Sequence, residues 1–274
     1  MHYLISGKPF ATRVVTLPAS KSISNRALVI NALSGKGVKP ENLSNCDDTY
    51  VMVRALEEVG ETIDIMAAGT AMRFLTAYFS VTEGERTITG TERMCHRPIS
   101  VLVDALRSLG AQITYTKTKG FPPLHITGQR LKGGNISLPG NVSSQYISAL
   151  LMIGPMVEHG LTLTLTGEIV SRPYIDMTLA IMTQFGAQAF WSDTNTITVS
   201  PQPYSPIPYY IENDWSASSY WYEMTALTPH SEVVLPGLFE ESLQGDQAVK
   251  DIFASLGVDT TFLPNHSGVR ITHT

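Results

Sequence analysis

One pattern occurs four times along the chain and constrains the fold more than any other feature. Each occurrence is an amphipathic helical stretch that ends in a glycine and is followed by a short alternating segment. Apolar residues recur at three- and four-residue spacing in the helical stretches, as in Leu102, Ala105, Leu106 and Leu109, which is typical of a helix with one buried face. The four occurrences are Val53–Gly60 with Glu61–Ile65, Leu102–Gly110 with Ala111–Tyr115, Thr178–Gly186 with Ala187–Trp191, and Val249–Gly257 with Val258–Phe262.

Each occurrence is preceded by a further stretch, rich in small residues near its start, that we predict to be helical. The closing glycines, Gly60, Gly110, Gly186 and Gly257, suit the left-handed position that ends a helix, and the alternation after them suits a half-buried strand. Helix–glycine–strand also recurs by chance in α/β proteins, but four similar units favour stacked repeats that share cores. The preceding helices are predicted at Ser22–Leu33, Thr70–Phe79, Ser143–Met156 and Ser216–Leu227.

A proline-rich segment interrupts the repeats. Ser200–Pro208 carries four prolines, so it is neither a helix nor a central strand. It is either a surface loop or the approach to a domain crossover, and the repeat count favours the crossover, with three units before it and one after. A chain of 274 residues suits two domains, although one large domain also falls in this size range.

Composition excludes several classes of protein. With 43% hydrophobic and 16% charged residues, the chain has enough apolar material for a core and is not a disordered segment. The net charge of −5 argues against non-specific nucleic-acid binding. Its apolar runs are too short for a membrane span, and no secretory signal is visible at the N-terminus. Two cysteines without a disulfide pattern indicate a reducing compartment, so we expect a cytoplasmic protein.

The strongest chemical motif begins at Pro18 and reads Pro-Ala-Ser-Lys-Ser-Ile-Ser-Asn-Arg-Ala-Leu. Lys21 and Ser22 fall at a predicted helix start, where unpaired N–H groups and the helix dipole attract an anion. Ser22 and Arg26 are four residues apart and therefore share one helix face. Ordinary capping with solvated Lys21 and Arg26 is the simpler alternative. A phosphate ester would need several such donors together.

A second motif, Ala-Gly-Thr-Ala-Met-Arg, also opens a helix. Gly69 allows close approach to the backbone, Thr70 can donate, and Arg73 can bind a carboxylate or phosphate with two hydrogen bonds. By itself this motif is weak, because Gly-Thr is a common cap.

A third motif surrounds Arg97. We expect Pro98 in the first turn of the following helix, which leaves Arg97 at its start. Cys95 has no assignable base, so a structural thiol is favoured over a nucleophile, and His96 is read as a polar surface residue.

Two later helix starts carry neutral donors. Ser143, Ser144 and Gln145 can bind a phosphate or a polyhydroxylated ring without adding charge, and capping by Ser143 explains only one of them. Ser171 and Tyr174 also offer hydroxyl donors at a predicted helix start, so they are candidates for the same kind of binding. The remaining histidines show no metal-ligand spacing, and neither a dinucleotide fingerprint nor a P-loop is present, so we predict no metal and no cofactor.

Taken together, these motifs resemble the 5-enolpyruvylshikimate-3-phosphate synthase family in order and spacing over nearly the whole chain. The stretch from Ser20 to Leu28 is close to that family's first signature, and the stretch from Ala68 to Arg73 matches its second. Arg97-Pro, Val-Ser-Ser-Gln from Val142, and Val-Ser-Arg-Pro-Tyr-Ile-Asp from Val170 follow in register, as do the runs from Asn213 to Tyr220 and from Ser242 to Asp246.

The resemblance implies an α/β (α+β) fold of repeated βαβαββ units, the enolpyruvyl transferase fold, with one complete domain and part of a second. The complete domain of three units is expected at residues 19–211, and the part of the second domain at 1–18 and 212–274. It also implies a monomer that transfers the enolpyruvyl group of phosphoenolpyruvate to the 5-hydroxyl of shikimate 3-phosphate and releases phosphate through a tetrahedral intermediate.

The resemblance also implies residue roles. Lys21 would assist as general acid or base and contact both substrates, and Gln145 would lie between them. The shikimate 3-phosphate site would comprise Lys21, Ser22, Arg26, Ser143, Ser144, Gln145, Ser171 and Tyr174. The phosphoenolpyruvate site would comprise Lys21, Gly69, Thr70, Arg73, Arg97 and Gln145.

Three departures from the family pattern stand out. Ala67 replaces a usual Asn, and Trp215 stands where a small residue is common. The family's catalytic Asp, its Lys-Glu-Thr-Asp-Arg and Asp-His-Arg stretches and a late Lys would come after residue 274. We therefore expect the chain as printed to be an incomplete, weakly active or inactive fragment. The alternatives are the related transferase that acts on UDP-N-acetylglucosamine and a non-catalytic anion-binding module.

Overall fold

The computed structural model describes residues 12–35, 38–57, 60–264 and 267–273. Residues 1–11 of the expected second domain and residues 58 and 59 of the first repeated helix lie outside the described residues. The α-helices in these ranges are α1 (Lys21–Leu33), α2 (Asp47–Glu57), α3 (Gly69–Val81), α4 (Glu92–Cys95), α5 (Ser100–Ser108), α6 (Ser144–Ile153), α7 (Arg172–Gln184), α8 (Trp215–Ala226) and α9 (Val249–Ala254). The strands are β1 (Thr12–Val14), β2 (Thr62–Asp64), β3 (Gly84–Thr89), β4 (Gln112–Tyr115), β5 (Leu124–Gly128), β6 (Gly134–Pro139), β7 (Leu161–Thr166), β8 (Ala189–Trp191), β9 (Thr196–Val199), β10 (Glu232–Pro236), β11 (Val258–Phe262) and β12 (Gly268–His273).

All four predicted helix pairs form: α1 with α2, α3 with α5, α6 with α7, and α8 with α9. Gly110, Gly186 and Gly257 have φ values of +106°, +86° and +81°, as a left-handed helix end requires. Gly60 follows residues 58 and 59, which lie outside the described residues, so the prediction for this glycine stays a prediction. Among the described helices, none is long and apolar enough to cross a membrane.

The strands form three four-stranded sheets that share one topology. Their orders are β2-β3-β5-β4, β6-β7-β9-β8 and β1-β10-β12-β11. In each sheet the first strand pairs in parallel with the second, and the two hairpin strands continue the sheet antiparallel. The predicted βαβαββ unit is therefore confirmed.

The first helix pair differs from the others. The strand predicted after α2 forms as β2, but it pairs in parallel with β3 and so belongs to the next unit's sheet. Within residues 21–211, the described residues near α1 and α2 contribute only the isolated bridge between Glu41 and Tyr210. In the described part of the chain, this pair therefore has no four-stranded sheet of its own.

The chain divides into two compact units. The described residues from Lys21 to Ile211 form one, with helices α1–α7 and two of the sheets. The described residues of 12–20 and 212–273 form the other. In the first unit, α3 and α6 are almost entirely buried. In the second unit the core packs α8 against the third sheet. Its buried members include Trp215, Tyr222, Val233, Leu235, Val269 and Ile271.

The proline-rich segment contains neither helix nor strand, as predicted, but it is firmly packed. Tyr204 is only 4% exposed, and its hydroxyl donates to the Met152 carbonyl at 2.8 Å. The backbone N–H of Ser205 donates to the Phe185 carbonyl at 2.8 Å. Burial raises the pKa of Tyr204 well above its ordinary value of 10.0, so the fold favours the neutral phenol.

We expect Tyr204→Phe to lower the free energy of unfolding at pH 7 by roughly 1–3 kcal/mol, because the buried Met152 carbonyl loses its donor. In the parent chain, unfolding should become easier as the pH rises above 10.0, since the unfolded phenol ionises before the folded one. Urea unfolding as a function of pH measures both effects, and the variant should show a shallower decline. Tyr50→Phe is the control, since Tyr50 is 65% exposed; equal effects at both positions would contradict the assignment.

Candidate anion-binding site

Four helix starts of the unit formed by residues 21–211 contribute to one cavity. Lys21 and Ser22 open α1, Thr70 lies in the first turn of α3, and Ser144 opens α6, while α7 contributes its first turn. First turns carry unpaired N–H groups and a partial positive charge, so their convergence favours an anionic ligand. The cavity, which we call the Lys21 cavity, has a volume of about 230 Å³. It is lined by Lys21, Ser22, Asn25, Arg26, Thr70, Ser143, Ser144, Gln145 and Tyr174.

Arg26 is the buried cation of this cavity, with only 3% of its surface exposed. Its Nε donates to Thr178 Oγ1 at 2.7 Å, and its Nη2 donates to Ser148 Oγ at 3.1 Å. Nη1 donates to the Ser22 carbonyl at 2.8 Å, and Nη2 also reaches the Tyr174 carbonyl at 3.4 Å. These acceptors lie on α1, α6 and α7, so one guanidinium joins three helices at the cavity wall.

All of these acceptors are neutral. Among the described residues, Arg26 forms no ion pair with a carboxylate. Burial lowers its pKa to about 10, while Tyr174 acts in the opposite direction, so the group remains charged at pH 7. A buried charge without a counter-ion is costly, and an anionic ligand in the cavity would compensate it.

Gln145 connects this cavity with the start of α3. Its Nε2 donates to Thr70 Oγ1 at 3.3 Å. Ser143 caps α6, since its hydroxyl accepts from the Gln145 backbone N–H at 3.4 Å. Capping thus accounts for Ser143, while Ser144 and the Gln145 side chain face the cavity, as the serine-serine-glutamine run predicted.

A second cavity lies beside the start of α3. It has a volume of about 440 Å³ and is lined by Ala67, Arg93, Met94 and Arg97; we call it the Arg97 cavity. The guanidinium of Arg97 lies directly over Gly69, where a Cβ atom would stand only 2.3 Å from Arg97 Nη1. Glycine at position 69 is therefore what allows Arg97 to approach the α3 backbone.

Arg73 lies one turn further along α3 and is 5% exposed. Its Nη1 donates to the Gly69 carbonyl at 2.9 Å, and its guanidinium carbon lies 5.7 Å from the centre of the Tyr146 ring. Its Nε is buried without a partner among the described residues. Such an orphan donor is rare in a folded protein. Arg73 and Gly69 are themselves absent from the linings of the Lys21 and Arg97 cavities.

Arg97 carries a further sign of crowded positive charge. Burial lowers its pKa, and the charges of Arg73 and Arg93 lower it further, whereas Tyr146 and Asp48 oppose the shift. No carboxylate in the described ranges forms an ion pair with any of these three arginines. Guanidinium groups that lie close together without carboxylate partners are the arrangement expected before an anion binds.

The helix after Arg97 begins later than the sequence predicted. Pro98 was expected in its first turn, but α5 begins at Ser100 with Ile99 as its N-cap, so that expectation is wrong. The backbone N–H of Arg97 instead closes the turn of α4 by donating to the Met94 carbonyl at 3.0 Å. The Pro98 carbonyl accepts from the Tyr146 hydroxyl at 2.7 Å, which fixes this connection against α6.

Not every residue singled out from the sequence lines these cavities. Ser171 is the N-cap of α7 without a side-chain capping bond, and it is absent from the lining of the Lys21 cavity. Cys95 is a free, half-buried thiol whose Sγ lies 3.6 Å from the Gly90 carbonyl, and His96 contacts the Glu92 carbonyl at 2.8 Å.

Two polar lining residues were missed by the sequence reasoning. Asn25 lines the Lys21 cavity and accepts from Thr49 Oγ1 at 2.9 Å, and Arg93 lines the Arg97 cavity. The four-residue spacing between Arg93 and Arg97 was a usable signal, because it puts both on one side of a helical turn.

Comparison with known proteins agrees with this geometry. The family model described as EPSP synthase (3-phosphoshikimate 1-carboxyvinyltransferase) matches residues 7–66 and 61–273. A 3-phosphoshikimate 1-carboxyvinyltransferase of Bacteroides fragilis is 58% identical over 271 residues, which cover 99% of this chain and 66% of the relative. The chain belongs to the EPSP synthase family.

More distant members of the EPSP synthase family extend the comparison. A 3-phosphoshikimate 1-carboxyvinyltransferase of Shewanella halifaxensis is 38% identical over 273 residues, covering 89% of this chain and 64% of the relative. The solved EPSP synthase of Acinetobacter baumannii superposes with a TM-score of 0.80 at 21% identity, over 98% of this chain and 66% of that one; this likeness establishes the fold. The chain therefore spans slightly less than two thirds of the length of these relatives.

We expect Gly69→Ala to weaken anion binding at the Arg97 cavity by about tenfold or more, because the new methyl group displaces the Arg97 guanidinium and removes a charge-assisted hydrogen bond. Calorimetric titration with inorganic phosphate measures the change. Gly60→Ala adds the same methyl group 3.8 Å from the Thr62 carbonyl oxygen, an ordinary contact distance, so it should leave affinity unchanged. Equal affinities of all three proteins would contradict the role given to Gly69.

Proposed function

We propose that this chain carries the binding sites of a 3-phosphoshikimate 1-carboxyvinyltransferase. In this proposal the Lys21 cavity binds shikimate 3-phosphate and the Arg97 cavity binds phosphoenolpyruvate. The reaction transfers the enolpyruvyl group to the 5-hydroxyl of shikimate 3-phosphate and releases phosphate. The observation that supports it best is two sets of basic side chains, Lys21 with Arg26 and Arg93 with Arg97, that line cavities and have no carboxylate partner in the described ranges.

The reaction brings two multiply charged anions into contact, so the first task of the protein is to neutralise their repulsion. Lys21 and Arg26 supply positive charge at the first cavity, and Arg93 and Arg97 supply it at the second. Arg73 is proposed to reinforce the second from the next turn of α3. Preorganised charges of this kind cost little reorganisation when the substrates react. Holding both substrates also replaces a bimolecular encounter by an intramolecular one.

The neutral donors then orient the acceptor substrate. Ser22, Ser144 and Tyr174 offer hydroxyl groups that can bind ring hydroxyls or phosphate oxygens without adding charge. Gln145 is placed to contact both ligands, since it lines the first cavity and bonds to the start of α3. Lys21, which is exposed at the cavity, is the proposed general acid or base. Ser171 could join the site only through a change at the start of α7.

We further propose that residues 19–211 form the complete domain of the family and that residues 1–18 with 212–274 form part of the second. The protein is proposed to act as a monomer in the cytoplasm. Size-exclusion chromatography with light scattering tests the oligomeric state.

Shikimate 3-phosphate should bind the chain, and Lys21→Ala should weaken binding by roughly 10- to 150-fold, the equivalent of one charge-assisted hydrogen bond. Arg26→Ala should weaken it at least as much, and Arg26→Lys, which keeps the charge, should recover part of the affinity. Isothermal titration calorimetry measures the constants, and circular dichroism shows whether each variant is folded. Lys39→Ala is the matched control, because Lys39 pairs with Glu57 at 3.0 Å and does not line the cavity. Unchanged affinity in folded Lys21→Ala and Arg26→Lys would reject the site.

The choice of acceptor is tested by a parallel titration with UDP-N-acetylglucosamine. We expect no measurable binding, because the hydroxyl and amide donors of the Lys21 cavity surround a volume of only about 230 Å³. Binding of this nucleotide sugar in preference to shikimate 3-phosphate would instead favour the related cell-wall transferase.

A further inference from the structure

A third cavity lies on the other side of α4 from the Arg97 cavity. Arg93 and Met94 of this single helical turn face the Arg97 cavity, whereas Glu92 and Cys95 face the third, as helical spacing requires. This Cys95 cavity has a volume of about 440 Å³, within the range of small-molecule sites. It is lined by Thr89, Gly90, Glu92, Cys95, His96, Lys117, Thr118, Phe121 and Pro122. The proposed function uses none of these residues.

The charges of this lining define a ligand class. Glu92 and Lys117 both line the cavity, yet within the described ranges they form no ion pair with each other or with another residue. Phe121 and Pro122 give the remaining wall an apolar surface. A ligand with one ammonium group, one carboxylate and an apolar side chain would complement all three features.

We propose that the Cys95 cavity binds a free α-amino acid with an apolar side chain. The ligand ammonium pairs with the Glu92 carboxylate, the ligand carboxylate pairs with the Lys117 ammonium, and the side chain packs against Phe121 and Pro122. This site shares no lining residue with the proposed substrate cavities.

The packing around Gly90 couples the Cys95 cavity to the Arg97 cavity. A Cβ atom at Gly90 would lie 2.5 Å from the Met66 carbonyl oxygen and 3.0 Å from Met94 Cγ, so the wall between the cavities is tightly packed. Met94 is 1% exposed and lines the Arg97 cavity, and the Thr91 backbone N–H donates to the same Met66 carbonyl at 2.9 Å. A ligand that moves α4 must therefore also move Arg93 and Arg97, and the coupling must be reciprocal.

The ligand class is tested by calorimetric titration of the 274-residue chain with L-leucine and L-phenylalanine. N-acetyl-L-phenylalanine and L-phenylalaninamide each lack one of the two charges and should bind about tenfold more weakly or worse. Glu92→Gln and Lys117→Gln should lower the affinity for L-phenylalanine by a similar factor. Glu83→Gln and Lys119→Gln are the control variants, because they make the same charge changes on exposed residues outside the lining. They should leave the affinity for L-phenylalanine unchanged.

Cys95 supplies a second readout inside the cavity. In a Cys46→Ser chain, saturating L-phenylalanine should slow the alkylation of Cys95 by iodoacetamide severalfold, as followed by intact mass. In a Cys95→Ser chain, the alkylation of Cys46 should not change. Inorganic phosphate bound at the Arg97 cavity should alter the affinity for L-phenylalanine, and the amino acid should alter phosphate affinity by the same factor.

Three results would overturn the proposal. The first is that neither amino acid binds and neither protects Cys95. The second is that the singly charged derivatives bind as tightly as the amino acid. The third is that the control variants lose as much affinity as Glu92→Gln and Lys117→Gln. Binding with no effect on phosphate affinity would remove the coupling through α4. None of these results bears on shikimate 3-phosphate binding, which is measured separately at the Lys21 cavity.

Discussion

The buried guanidinium of Arg26 is the interaction on which the candidate site depends. It joins α1, α6 and α7 through hydrogen bonds to Ser22, Ser148, Tyr174 and Thr178, and all of these acceptors are neutral. A buried cation held this way organises the cavity wall and leaves its charge uncompensated within the described residues. The same group that positions the helix starts thus creates the need for an anion.

The Arg97 cavity depends on backbone geometry as much as on charge. Gly69 lets Arg97 lie against the first turn of α3, and Arg73 donates to the Gly69 carbonyl from the next turn. Burial and, after it, the charges of Arg73 and Arg93 lower the pKa of Arg97. The Tyr146–Pro98 hydrogen bond fixes the connection from α4 to α5 on which Arg97 lies. One short turn, α4, supplies Arg93 to this cavity and Cys95 to the next.

Much of this could be predicted because the signals are local. Helical periodicity and the closing glycines predicted the four helix pairs. The helix-start motifs predicted Lys21, Ser22, Thr70 and Ser144 as site residues, since residues of a first turn share the exposed end of a helix. The pairing of strands in a sheet, by contrast, does not follow from local sequence signals. Nothing in Glu61–Ile65 distinguished a hairpin strand from one that joins β3 in the next sheet. The start of α5 was misplaced because Arg97 closes α4 first.

The sequence by itself determined the repeated units, their order and the helix starts that carry basic and hydroxyl groups, because these follow from side-chain periodicity and capping. Only the tertiary structure decided which of those starts share a cavity. The cavity linings include Asn25 and Arg93, and they leave out Gly69, Arg73 and Ser171. The physical reason is that cavity walls are made by residues far apart in the chain, as in the 152-residue separation between Arg26 and Thr178, and no local pattern encodes such contacts.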